Sequence, residues 1–175
     1  ISPKKTIELP KINENDIAFL QYTSGSTNDP KGVIISHQNI VHNSEISKKA
    51  FGINSDTVSV CWLPNFHDLG LVDGILQPIY SGFKSIIISP IQFTKNPSIW
   101  IKAICKYRAT YTSSPNFGIE YASNRIKMDE ISDCNLESLK FILTGAEPIR
   151  WNTLSKFVSK FAKIGFSMEK FMTGY

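Results

Sequence analysis

Ten consecutive residues, Thr23 to Gly32, hold the densest set of anion-gripping groups in this 175-residue sequence. Thr23, Ser24, Ser26 and Thr27 supply four hydroxyls within five residues. Gly25 and Gly32 let backbone N–H groups approach a ligand closely, and Lys31 adds a mobile positive charge. The chemistry this suggests is phosphate binding. Composition alone equally allows a polar hairpin loop, because short motifs match by chance often. The loop of ordinary nucleotide kinases and ATPases is excluded. It reads G-x-x-x-x-G-K-[ST] and opens a helix, whereas here no glycine precedes Lys31, no Ser or Thr follows it, and an apolar β-branched run comes next.

A second candidate is the pair His67–Asp68. A lone histidine beside an acid is most often a structural hydrogen-bonded pair. His37 and His42 fall in a helical stretch and read as surface residues. Cys61, Cys105 and Cys134 lie far apart with no metal-ligand or redox spacing, and Cys61 and Cys105 read as core. No trio of His, Asp or Glu has metal spacing. The Trp100/Tyr107 stripe has helical period and reads as core.

The elements that must position these groups alternate. Residues 1–15, with two prolines and no period, read as a linker or approach segment. Strands are expected over Ile17–Thr23 and Val33–Ile35, then a helix capped by Ser36 and stopped by Gly52. Further strands are expected over Val58–Leu63, Ser85–Ile88 (of the fully buried kind), Thr110–Ser113, Leu139–Leu143 and Lys170–Thr173. Between them lie helical stretches: an apolar one with interior Gly74 and Pro78, buried and kinked; one capped by Asn96; one after Pro115; and one on Leu154, Phe157, Val158 and Phe161, stopped by Gly165. This order predicts an α/β fold, a mostly parallel sheet covered by helices. Ligands of such sheets gather beyond the carboxyl ends of strands. The loops Pro64–Asp68, Ser113–Asn116 and Thr144–Pro148 belong there, and the Thr23–Gly32 loop would have to fold over the same edge.

Bulk properties set outer limits. The sequence is 42% hydrophobic and 19% charged, enough to build a core. The net charge of +4 looks scattered, with Lys4-Lys5 and Lys48-Lys49 the tightest groups, so no nucleic-acid partner is expected. With no signal peptide, sequon or long apolar run, no transmembrane segment is expected and a cytoplasmic location is the default. The chain begins at Ile1 and stops at Tyr175 after a glycine in an apolar run, so both ends read as cut.

The stretch Tyr22–Val33 resembles the phosphate loop of the acyl-adenylate-forming superfamily, usually Y-T-S-G-S/T-T-G-x-P-K-G-V, with Asn28 where glycine is usual. Residues 62–83, 113–122 and 143–150 resemble further core motifs. The wording H-D-x-G-L, P-N-F and G-A-E-P is similar to one branch, the fatty acyl-AMP ligases. Phe171–Tyr175 resembles the start of the adenine motif, with Thr173 in place of its proline. The resemblance covers residues 16–175 as a partial AMP-binding domain, part of the large N-terminal domain of such enzymes.

It implies ATP-dependent adenylation of a fatty acid for transfer to an acyl carrier protein, with ATP and Mg²⁺ as cofactors and a fragment inactive by itself; the alternatives are a long-chain fatty acyl-CoA synthetase, with coenzyme A as acceptor, and a non-catalytic nucleotide-binding module. Thr23, Ser24, Gly25, Ser26, Thr27, Lys31 and Gly32 would hold the leaving phosphates. Gly145, Ala146, Glu147 and Pro148 would border adenine, and Tyr175 would stack on it. His67, the implied catalytic residue, would orient the acyl carboxylate, with Asp68, Gly70, Ser114 and Asn116 beside the acyl group. Leu69–Ile79 and the Pro115–Phe117 turn are candidate walls of an acyl channel, with ordinary core an equal alternative for each residue. No metal ligand is assigned, because the family's metal glutamate follows Tyr175. Glu147 reads as a structural hydrogen-bond acceptor.

Overall fold

The computed structural model describes residues 9–23 and 30–174. The chain divides into two compact units, Ile1–Ile46 and Ser47–Tyr175.

In the first unit, β1 (Ile17–Thr23) pairs antiparallel with β2 (Lys31–Ser36), with a register shift between Ile17 and Phe19. β2 is longer than Val33–Ile35 because Lys31 and Gly32 still pair across the ladder with Thr23 and Tyr22. Helix α1 (His37–Ala50) begins at the expected cap. Ser36 Oγ accepts the Asn39 N–H at 3.2 Å, and Asn39 Oδ1 accepts the Ser36 N–H at 3.0 Å. This is a reciprocal box with asparagine in the third helical position. The approach segment contributes too. The carbonyls of Asp16 and Glu14 accept the N–H groups of His37 and Gln38, which a helix start leaves free.

The second unit is built on β3 (Val58–Cys61), β4 (Lys84–Ile87), β5 (Tyr111–Ser113), β6 (Phe141–Thr144) and β7 (Phe171–Thr173). Their order is β4-β3-β5-β6-β7 and every pairing is parallel. The connections are α2 (Asp68–Leu71), a π-helical turn (Val72–Leu76) and α3 (Gln77–Ser81); α4 (Pro90–Lys95) and α5 (Ser98–Tyr107); α6 (Asn116–Arg125); and α7 (Trp151–Phe161). The expected helix-covered parallel sheet is what forms.

Right-handed crossovers place α2 and α3 on one face and α5, α6 and α7 on the other, because the strand order reverses at β3. The side chains of β5 show both faces. Tyr111 joins a core of Ile53, Phe83 and Phe141, while Thr112 Oγ1 accepts the Trp100 indole N–H at 2.9 Å on the opposite face. The larger core lies there, with Trp62, Phe93, Trp100, Phe157 and Phe161 stacked or edge-on.

Four expectations change. The strand predicted as fully buried is an edge strand with Ile87 52% exposed, because β4 has a neighbour on one side only among the described residues. Trp62 and Leu63 leave the ladder after Cys61 yet remain buried. Tyr107, expected in the core, lies at the helix end with Lys84 over its ring. Pro90–Lys95 is a helix that the sequence reading left unassigned. The expected kink near Gly74 and Pro78 takes the form of the π turn. Gly74 lets it lie against β3: an added Cβ would stand 2.9 Å from Cys61 Sγ. Among the described residues no helix is long and apolar enough to cross a membrane.

Candidate active site

Parallel strands deliver all their following loops to one edge. The order β4-β3-β5-β6-β7 reverses direction between β3 and β5, and such a switch point opens a crevice at the carboxyl ends. The loop after β3 carries His67, Asp68 and Gly70. The loop after β5 carries Ser114 and Asn116. The next loop, after β6, carries Gly145, Ala146, Glu147 and Pro148.

His67 ends a turn closed by its N–H on the Pro64 carbonyl at 3.0 Å, and it caps α2. Asp68 Oδ1 lies 2.6 Å from His67 Nδ1 and accepts the Leu69 N–H at 2.8 Å. The Leu69 N–H also approaches Nδ1, at 3.3 Å. Nδ1 thus faces both the Asp68 carboxylate and the Leu69 N–H, which leaves Nε2 as the presented nitrogen. Both side chains are more than half exposed, at 56% and 58%. Gly70 is required here, because a Cβ would collide with the Pro64 carbonyl that closes the turn.

The β5 and β6 loops lock each other. Glu147 Oε1 accepts the Phe117 N–H in the first turn of α6 at 2.6 Å, where a negative charge suits the helix start. In return, Asn116 Oδ1 accepts the Arg150 N–H at 3.0 Å. Asn116 and Ser114 are both buried. Behind them Gly118 admits the Trp62 ring, which an added Cβ would meet at 2.5 Å. Ala146 adopts a left-handed φ of 64°, unusual for a residue with a side chain. A Cβ on Gly145 would strike the Gly174 carbonyl, so the β6 and β7 loops touch through bare backbone. Thr144 Oγ1 is buried with no protein partner, a polar atom left over at the root of this turn. Ala146 and Pro148 are exposed at this turn, while Thr144 stays buried beneath it.

One cluster was missed from sequence. Asp73, in the π turn, accepts the Ser113 hydroxyl at 2.5 Å, and Ser113 Oγ lies 3.1 Å from Tyr111 OH. Asp73 keeps some surface exposure, but its carboxyl group is packed on most sides. Burial raises its pKa, against the lowering effect of the Ser113 and Tyr111 hydroxyls. Burial likewise pushes the Cys61 thiol up to about 11. The signal was an acid inside the otherwise apolar run Leu69–Ile79.

Within the hairpin unit, Thr23 and Lys31 pair across the ladder next to Gly32, where the Tyr22 ring lies 3.3 Å from a would-be Cβ. Ser24, Gly25, Ser26, Thr27 and Tyr175 lie outside the described residues. Among the described residues no group of three His, Cys, Asp or Glu could hold a metal ion.

The AMP-binding enzyme family matches residues 2–175. A medium-chain-fatty-acid–[acyl-carrier-protein] ligase of Moorena producens is 40% identical over 95% of the chain, and one of Teredinibacter turnerae is 39% identical over 95%. The chain spans 28% and 26% of those relatives' lengths. Among solved structures, a fatty acyl-adenylate ligase of L. pneumophila, in complex with acyl adenylate and pyrophosphate, superposes with a TM-score of 0.89. It is 43% identical, over 95% of this chain and 30% of that one.

Proposed function

We propose that this chain, which belongs to the AMP-binding enzyme family, is the part of a fatty-acid-activating ligase that orients the acyl carboxylate and borders the nucleotide. The reaction joins a fatty-acid carboxylate oxygen to the α-phosphorus of ATP. The bond to the β-phosphate oxygen breaks, and pyrophosphate leaves. The acyl group then passes to the thiol of an acyl carrier protein, and AMP is released. The observation that carries the reading is the His67–Asp68 pair at the β3 end of the switch-point crevice.

The carboxylate is ionised near neutral pH, so no general base is needed. What the protein must supply is alignment and charge compensation. With Nδ1 occupied by its Asp68 and Leu69 neighbours, His67 turns its Nε2 side to the acyl carboxylate, where an Nε2–H would donate to a carboxylate oxygen and fix its attack direction. Ser114 and Asn116 wall the acyl group, Asn116 acting through its hold on the Arg150 backbone. Gly145–Pro148 border adenine, with Tyr175 against its face. The hydroxyls of Thr23, Ser24, Ser26 and Thr27, the N–H groups around Gly25 and Gly32, and Lys31 steady the leaving pyrophosphate. Mg²⁺ would neutralise phosphate charge when bound. No described residue is assigned to it. A cytoplasmic setting, where ATP and carrier proteins meet, fits this chemistry.

The test is fatty-acid-dependent ATP–pyrophosphate exchange by the protein at the length of its relatives. Robust exchange is expected, with His67→Ala lowering kcat/KM for the fatty acid roughly 10²-fold or more. Absence of exchange would overturn the reading. Acyl transfer to carrier protein in preference to coenzyme A is the expected second result, and the reverse preference would reassign the acceptor.

A further inference from the structure

An open surface cavity of about 650 Å³, lined by exposed polar side chains around the buried Pro97, lies among α4, α5 and α6 and shares no residue with the carboxyl-edge crevice. Lys95 closes α4, Lys102 projects from α5, Arg125 ends α6 and Lys127 follows it. Glu130 is the one carboxylate in the lining. Four cations against one carboxylate leave an excess of three positive charges, from a chain-wide excess of four. The positive charge that looks scattered in sequence is therefore concentrated by the fold. Among the described residues none of these four cations sits in an ion pair.

The polar remainder of the lining points the same way. Asn96 Oδ1 is already used by the Ser98 N–H at 3.1 Å and the Ser98 hydroxyl at 2.6 Å. Asn124 Oδ1 is used by Lys156 Nζ at 2.5 Å. Asn96 has thus used both acceptor positions of its amide oxygen and Asn124 one, and both retain amide donors. Arg125 is held in place, its guanidinium 5.7 Å over the Tyr121 ring, and that ring is anchored by its hydroxyl on the Thr94 carbonyl at 2.5 Å. Behind the lining, Lys156 and Lys160 add a second rank of cations. Lys160 holds the Ser123 carbonyl at 2.6 Å. Attraction of cations to helix ends accounts for Lys95 and Arg125. It does not account for Lys102 in mid-helix or for two amides that retain donors.

We propose that this cavity binds a small phosphate-bearing anion carrying at least two negative charges. The volume lies within the range of small-molecule sites, roughly 300–1,000 Å³, and the lining is donor-rich instead of apolar. The shared chemistry is a phosphate or phosphate ester. Its source is either free AMP or pyrophosphate, or coenzyme A, whose diphosphate and 3′-phosphate carry the required charge.

Isothermal titration of the protein with pyrophosphate, AMP and coenzyme A, at low and at high NaCl, tests this. At least one probe is expected to bind, with affinity falling steeply as salt rises. The pair Lys102→Glu, Arg125→Glu should weaken that binding at least tenfold. The milder Lys102→Gln, Arg125→Gln should weaken it severalfold with an unchanged thermal transition. Lys163→Glu, an exposed site outside the cavity, controls for net charge and should change affinity less than twofold. A binding isotherm that survives both cavity pairs belongs to the carboxyl edge and refutes the cavity. Equal losses in the Lys163 and cavity variants refute it too, as does the absence of binding by every probe. Tighter binding of coenzyme A than of AMP and pyrophosphate would assign coenzyme A as the source, and the reverse the free phosphates. Fatty-acid-dependent exchange should be unchanged in the cavity variants, so this proposal and the adenylation reading fail separately.

Discussion

Ile17, Leu20, Tyr22, Val33 and Ile34 of the hairpin are exposed, whereas every residue of β5 in the sheet unit is buried. The two units carry different halves of the proposed chemistry. The hairpin carries Thr23, Lys31 and Gly32 of the proposed phosphate site on a backbone ladder with exposed apolar side chains. The sheet unit offers the carboxylate- and base-facing residues on strands pinned from both faces. A two-stranded ribbon is marginal by itself, and sheets with covered faces are not. The difference teaches that side-chain identity should govern stability in the sheet unit, and hydrogen-bonded backbone in the hairpin.

The sharpest way to break that contrast is to remove matched side chains. Phe157 is fully buried and rings with Trp100, Phe161, Phe166 and Phe171. Phe157→Ala should cost about 3–5 kcal/mol, read as a lower denaturant midpoint. Adding volume behind the site comes next. Gly118→Ala forces a Cβ onto Trp62 and Ser114 and should cost about 1–3 kcal/mol in the same assay. Asn116→Ala orphans the Arg150 N–H and should cost about 1–2 kcal/mol, with exchange activity falling further than stability explains.

A smaller effect depends on pH. Burial raises the Asp73 pKa, so the folded state holds the proton more tightly than the unfolded chain. Stability from this group is complete below the ordinary carboxylate value, near 4, and declines as pH rises through the raised folded pKa. Asp73→Asn should flatten that decline in denaturation curves taken from pH 4 to 8. At the bottom of the scale, Leu20→Ala in the hairpin should change stability by no more than about 0.5 kcal/mol. A loss there as large as that of Phe157→Ala would erase the distinction.

Local signals were legible where local forces decide. β1 runs from Ile17 to Thr23 as read, and Ser36 caps α1, because alternation and capping act within a few residues. The three polar loops sit at the carboxyl edge because a parallel topology leaves them nowhere else. Long-range arrangements were not legible. The edge position of β4 follows from its place in the sheet, which a four-residue strand does not encode. The reciprocal Glu147–Phe117 and Asn116–Arg150 bonds span about thirty residues each. The cationic cavity needs α4, α5 and α6 to meet before its charges become neighbours. Asp73 was visible as an oddity in an apolar run, but its Ser113 partner lies on another strand.

The π turn over Val72–Leu76 has a consequence for how this segment tolerates change in length. A π turn closes i to i+5 where an α turn closes i to i+4, so it accommodates one residue more. Deleting one residue there would bring the two flanking helical pieces to α-helical spacing, with Pro78 still interrupting the hydrogen-bond ladder. Substitutions along the same stretch instead meet β3 and the Pro64 turn. The segment after His67 is thus more forgiving of a shortened chain than of an enlarged side chain. Length variants that keep both Gly70 and Gly74 are the ones expected to fold.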